Sequence, residues 1–239
     1  MIGSTSLENP ENENIAEKQG KGCLLDSPSS YSYQACFCEE NIYHLCASLT
    51  PQQQETAYAV FITSSSKRFP LWKQKAGTGS DPVVWDYHVI LTLPGGQGVG
   101  LRSNASHVTT AGCEEDEGGN SDATAEERQI YDFDTFLPWP CLASQYCNEA
   151  VQCHKILPVE CEPLFRLVLA SDYIIKFSSD RSHMKDSNMD PPPWPLIRAE
   201  NAVSAHELPR FWDVSETDAA YGTVLTKAEF ANFVCSGKR

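Results

Sequence analysis

Val83 to Leu93 reads VVWDYHVILTL, and this stretch decides the fold class. Laid out as an extended chain, it puts Trp85, Tyr87, Val89, Leu91 and Leu93 on one face and Asp86, His88 and Thr92 on the other. A strand over 83–93 is therefore predicted. Gln129 to Phe136 (QIYDFDTF) alternates too, with Tyr131 and Phe133 opposite Asp132 and Asp134. The residues between, Gly95 to Arg128, are Gly/Ser/Thr-rich, then acidic, and carry no apolar period. They read as a disordered insertion at the tip of an antiparallel hairpin.

Outward from that hairpin, Tyr58–Ile62 (YAVFI) and Leu164–Ala170 (LFRLVLA) are β-branched or aromatic runs of strand length. Ile42, Leu45, Cys46 and Leu49 recur at helical spacing and predict a helix over Glu39–Thr50. Thr226-Lys-Ala-Glu229 is a capping box, with Leu225 and Phe230 placed for a hydrophobic staple, so a final helix should begin at Lys227. Pro191–Pro195 (PPPWP) must be an extended connector. The mixture predicts an α/β (α+β) fold: a mostly antiparallel sheet flanked by helices.

Of 239 residues, 32 are Asp or Glu and 18 are Lys or Arg, a net charge of −14. That balance excludes a duplex nucleic-acid binder, which needs clustered cations, and disfavours an anionic membrane surface. No apolar run approaches the ~18 residues of a membrane span. Residues 1–30 are Ser-, Asn- and Glu-rich without periodicity and read as a disordered tail. The tail carries five acids against two bases, and 95–128 seven against two, so the two segments hold −8 of the −14. The acidity belongs mainly to these attachments, and residues 31–239 remain as one domain.

The opening MIGSTSLENPENEN has neither a basic nor an apolar signal region, which points to a cytosolic or nuclear setting. The ten cysteines then read as reduced thiols rather than a disulfide framework. Cys141, Cys147, Cys153 and Cys161, with His154, invite a zinc reading. Their spacing lacks the close Cys pair of a zinc knuckle, so no metal is expected. Cys36-Phe-Cys38-Glu39-Glu40 lies at the head of the first predicted helix, where the helix dipole favours a thiolate. His88 is a candidate base. Asp132 or Asp134, across the hairpin, is a candidate carboxylate to orient it, and the alternation leaves that choice open.

The blocks CFCEENIYHLC, YAVFIT, PLWKQKA, VVWDYHVILTL, IYDFDTFLPWPC and SDRSHMKD, in that order, resemble the protein N-terminal glutamine amidohydrolase family. They cover most of the chain outside the tail and the insertion. The resemblance implies a transglutaminase/papain-like thiol-enzyme fold and a single catalytic domain. It implies a catalytic triad of Cys38, His88 and Asp132, so that Asp132 is preferred to Asp134. The implied reaction converts an N-terminal glutamine of a protein or peptide to glutamate, releasing ammonia, in the N-degron route. No cofactor and a monomeric state are expected. To read the free α-ammonium, the sequence offers Glu39 beside the nucleophile and Asp86 on the His88 face. Asp180, Arg181 and His183 could shape the pocket. This sequence departs from the family in its thirty-odd-residue insertion. Two other readings compete: a transglutaminase- or papain-like enzyme with another substrate, and a non-enzymatic Cys-rich zinc adaptor.

Overall fold

The computed structural model describes residues 25–95 and 127–236. Most of the expected tail and insertion therefore lies outside the described residues. In chain order the elements begin with α1 (Cys38–Ala47), α2 (Pro51–Gln54), β1 (Tyr58–Thr63), β2 (Phe69–Leu71), β3 (Val83–Trp85) and β4 (Tyr87–Leu93). There follow β5 (Gln129–Tyr131), β6 (Cys141–Leu142), α3 (Ala143–Tyr146), β7 (Leu164–Leu169) and α4 (Ala170–Lys176). The chain ends with β8 (Ser178–Ser179), β9 (Ile197–Arg198), α5 (Leu208–Trp212), β10 (Thr223–Thr226) and α6 (Lys227–Ser236).

Six strands form one sheet in the order β10-β7-β1-β4-β5-β6, and each pairing is antiparallel. Both faces are covered. On one, Phe61, Val89 and Leu91 pack with Ile42, Leu45 and Cys46 of α1, Tyr173 of α4 and Phe211 of α5. On the other, Val60, Ile62, Ile90 and Phe165 pack with Tyr146 of α3 and Phe230 and Val234 of α6. Alternate residues of each central strand thus feed two separate cores, which is why β1 reads as an unbroken apolar run.

The expected hairpin is present: β4 pairs with β5, with Leu91 opposite Tyr131 and Thr92 opposite Ile130. Thr226 and Glu229 bond reciprocally at the start of α6, as a capping box requires. Other boundaries differ from the sequence reading, each for a local reason. The first helix stops at Ala47, because Thr50 caps a new turn with Pro51 at its first position and Gln53 completing the box. The strand expected over 83–93 breaks at Asp86. There Thr63 Oγ1 donates to the Asp86 carbonyl at 2.8 Å, and the Asp86 carboxylate accepts from the N–H of Tyr87 at 2.8 Å. As a result β3 pairs with β2 in a separate ribbon, and Trp85 leaves the Tyr87 face to stack on His88 at 5.3 Å. At the edge of the tail, residues 28–30 form a 3₁₀ turn, and the Asp26 carbonyl accepts from the Trp139 indole at 2.7 Å.

A buried ion pair joins three distant segments. Glu40 of α1, with no exposed side-chain surface, accepts from Arg181 Nη2 at 2.7 Å and Nε at 3.0 Å, and from the Trp194 indole at 2.7 Å. This fixes the SDRSHMKD segment and the Pro-rich connector against the helix that carries Cys38. Removing one member of such a pair leaves a buried charge without compensation. Glu40→Ala should cost about 3–5 kcal/mol in urea unfolding, against about 1 kcal/mol for Thr226→Ala at the exposed cap of α6.

Candidate active site

Cys38 is the first residue of α1, and the loop before it is tightly held. Asn41 accepts from the N–H of Gln34 at 2.8 Å and donates back to its carbonyl at 2.9 Å. Cys36 takes a left-handed φ of 66° within that loop. The N–H groups at the start of a helix have no intrahelical acceptor, so the Cys38 N–H is available to a ligand. The Cys38 thiol donates to Glu39 Oε2 at 3.7 Å, and the backbone N–H of Val89 on β4 favours its ionised form. Burial, and then the nearby Glu39 and Asp134 carboxylates, push the Cys38 thiol well above its ordinary pKa. At rest it is a neutral thiol.

His88, 1 % exposed, meets Asp132 with Nε2 2.9 Å from Oδ1. A carboxylate at Nε2 places the ring proton there, leaving Nδ1 as an acceptor. Nδ1 is buried and has no hydrogen-bond partner among the described residues. Asp132 is held on all sides. Its Oδ1 also accepts from the N–H of Asp134 at 2.9 Å, and its Oδ2 accepts from Gln74 Nε2 at 3.1 Å and the Tyr146 hydroxyl at 2.9 Å. Burial alone would raise Asp132, but His88 and these donors outweigh it and hold the carboxyl below its usual pKa. Burial likewise lowers His88, and Asp132 more than reverses that, so the imidazole titrates above its usual value.

Cys38 and His88 line one cavity of about 260 Å³, together with Cys36, Trp85, Asp86, Tyr87 and Asp134 on one side. His183, Met184, His206, Leu208, Pro209 and Trp212 form the other. That is smaller than the ~300–1,000 Å³ typical of drug-sized ligands, and suits one polar side chain. Of the residues flagged in the sequence, Asp86 is exposed at this cavity. Glu39 lies behind its wall, fully buried. The Tyr87 hydroxyl donates to Glu39 Oε2 at 3.0 Å, and His183 Nε2 stands 3.4 Å from Oε1. Arg181 serves Glu40, and Asp180 lies 3.3 Å from His206.

The family model described as N-terminal glutamine amidase matches residues 33–234. The chain belongs to that family. Among its relatives, protein N-terminal glutamine amidohydrolase of Homo sapiens is 36 % identical over 207 residues, covering 84 % of this chain and 86 % of the relative. The Danio rerio protein of the same name is 34 % identical over 226 residues, covering 92 % and 96 %. The Drosophila melanogaster one is 33 % identical over 177 residues, covering 71 % and 73 %.

In this amidase-family chain the sequence reading did not single out Gln74, Tyr146, Trp85 or His206. Gln74 sits in the quoted block PLWKQKA, which was the available signal. Nothing near Tyr146 in the sequence points to Asp132. An oxygen of Asp132, an oxygen of Asp134 and a ring nitrogen of His88 lie within 4.8 Å of one another, a spacing that could hold a metal ion. Both Asp132 oxygens already accept two hydrogen bonds each, and Asp134 accepts from the Tyr33 hydroxyl at 2.6 Å. The donor set fits a hydrogen-bond relay better than a cation. Of the cysteines at 141–161, Cys141 faces Gln145 and Cys161 faces Ser66, while Cys147 and Cys153 lie together with Cys235.

The two shifts fix the pH response of stability. His88, raised when folded, contributes fully below its unfolded value near 6.5, and that contribution is lost as pH rises through the higher folded value. Asp132, depressed when folded, contributes above about 3.8 and loses its share as pH falls through the lower folded value. Urea titrations should therefore show the pair's contribution at a plateau between pH 3.8 and 6.5. In His88→Gln the component lost on the alkaline side should disappear, and a decline unchanged in that variant would contradict the assignment.

Proposed function

We propose that this chain hydrolyses the side-chain amide of an N-terminal glutamine to glutamate and ammonia, with Cys38 as nucleophile, His88 as general base and acid, and Asp132 as its orienting group. The observation that carries this reading is the cavity shared by Cys38 and His88. There a buried imidazole has one nitrogen on Asp132 and the other unpartnered. An α-helix bearing the cysteine, packed on an antiparallel sheet that carries the histidine on β4 and the aspartate just past β5, supports a transglutaminase/papain-like arrangement. The relatives' names support the substrate: all carry the name protein N-terminal glutamine amidohydrolase.

His88 Nδ1 takes the Cys38 proton, and Asp132 stabilises the imidazolium that results. The sulfur attacks the amide carbon, and the oxyanion receives the Cys38 N–H at the helix start. His88 returns its proton to the leaving ammonia, and a thioester remains. A water then gives its proton to neutral His88 as it attacks the thioester, releasing glutamate. Gln74 and Tyr146 position Asp132, and so the ring. Glu39 acts through Tyr87 and His183, which it orients in the cavity wall. Asp86, exposed at the mouth, is an outer contact for the first residues of the peptide. The catalytic domain runs from residue 31 onward and works as a monomer in the cytosol or nucleus, supplying N-degrons.

Incubation with a Gln-initiated peptide, its internal-Gln isomer and its N-acetylated form tests the reading. Ammonia and a mass gain of about one unit (NH₂ replaced by OH) are expected from the first peptide only. Amine incorporation or backbone cleavage would instead indicate a transferase or a peptidase. Cys38→Ala and His88→Ala should each lower ammonia release by at least ~10³-fold, and Asp132→Asn by up to ~10⁴-fold through the wrong tautomer. Activity surviving Cys38→Ala would remove the thiol mechanism.

A further inference from the structure

We propose that Asp134, the second aspartate of the YDFD block, is the specificity-determining residue that binds the substrate's free α-ammonium. This rests on the hydrolase reading above and extends it to how a chain terminus is told from an internal glutamine. Five titratable side chains other than cysteine and tyrosine line the cavity: Asp86, His88, Asp134, His183 and His206. Among the described lining residues Asp86 and Asp134 carry the carboxylates; Glu39, whose Oε1 has no hydrogen-bond partner, lies behind Tyr87 and His183. Asp86 is exposed, and one of its oxygens is taken by the N–H of Tyr87. Asp134 is partly buried and rigidly held. Its N–H donates to Asp132, its carbonyl accepts from the N–H of Lys75 at 2.7 Å, and its Oδ1 accepts from the Tyr33 hydroxyl at 2.6 Å. Lys75 directs its ammonium to the Phe133 carbonyl at 2.7 Å. Among the described residues no lysine or arginine forms an ion pair with Asp134.

Distance agrees with charge. In an extended glutamine the α-nitrogen lies roughly 5 Å from the amide carbon, four bonds of about 1.5 Å away. An Asp134 oxygen is within 4.8 Å of a His88 ring nitrogen, and His88 must itself stand beside the attacked carbon. An amide carbon on Cys38 can therefore coexist with an ammonium on Asp134. The ammonium also adds to the positive charge that His88 and Lys75 bring to Asp134. Burial raises the Asp134 carboxyl, and Asp134 in turn adds to the upward shift of the Cys38 thiol. A bound cation relieves both. An acetylated or internal glutamine brings no cation and leaves a desolvated carboxylate unmatched.

The test compares a Gln-initiated peptide with its desamino analogue, in which hydrogen replaces the α-amine, on the full-length enzyme. Wild type should strongly prefer the amine. Asp134→Asn keeps the shape and the Tyr33 contact. It should lower kcat/KM for the Gln-peptide about 10- to 100-fold, the usual worth of a charge-assisted hydrogen bond, and leave the desamino analogue within about threefold. The preference for the amine thus collapses. Tyr33→Phe, which frees the carboxylate without removing it, should raise KM for the Gln-peptide more than it lowers kcat. Equal losses on both substrates in Asp134→Asn would make the residue a support for Asp132 and overturn the proposal, as would unchanged preference. Absence of ammonia release by wild type from either peptide would instead defeat the hydrolase reading itself.

Discussion

Three of the buried carboxylates among the described residues, those around the cavity, govern how this molecule is put together: Glu39, Glu40 and Asp132. A buried carboxylate without partners is costly enough that the fold must bring donors to it. Each of the three recruits from a different part of the chain. Glu40 draws in Arg181 and Trp194, Glu39 draws in Tyr87 and His183, and Asp132 draws in His88, Gln74 and Tyr146. The cavity lies among these contacts. Three of its lining residues, Tyr87, His88 and His183, are committed to these carboxylates, which holds that part of the site in place.

The architecture was legible wherever one periodicity controlled one element. The β4–β5 pairing and the capping box of α6 are local patterns, and both are found where the sequence places them. The breaks were not legible, because side-chain to backbone bonds made them. Asp86 and Thr63 end a run whose alternation continues unbroken into Trp85. Asp132 does the same to β5. Continuing the β4–β5 register would put residue 134 opposite His88, yet Asp132 turns the chain by accepting from the Asp134 N–H and takes that place itself. Alternation therefore could not choose between the two aspartates.

The site divides along the same line. Cys38, His88 and the aspartate pair stand out in the sequence because polar residues interrupt apolar or helix-start patterns there. Gln74 and Tyr146 carry no such mark: one lies in an isolated bridge to Thr135 and the other ends the short helix Ala143–Tyr146. Their purpose exists only through contact with Asp132, 58 and 14 residues away. Glu39 stands out in the sequence through its place beside Cys38, where a substrate contact is expected; its buried carboxylate meets the Cys38 thiol, Tyr87 and His183.

The electrostatics explain why such an arrangement can be selective as well as reactive. A low-dielectric pocket strengthens every charge interaction, including the unfavourable ones. Around Cys38 the fixed carboxylates Glu39, Asp132 and Asp134 oppose a second negative charge on sulfur, and burial adds to that opposition. A nearby group able to balance the thiolate is His88, whose protonated form Asp132 favours. A thiol held neutral in this way is a poor target for stray electrophiles, since the thiolate is the reactive species. In the proposed mechanism it becomes a nucleophile when positive charge enters the cavity or the proton moves to His88. A substrate bearing an ammonium one side chain's length from its amide carries that charge with it. Reactivity and recognition of the chain terminus then draw on the same field, rather than on separate binding and catalytic surfaces.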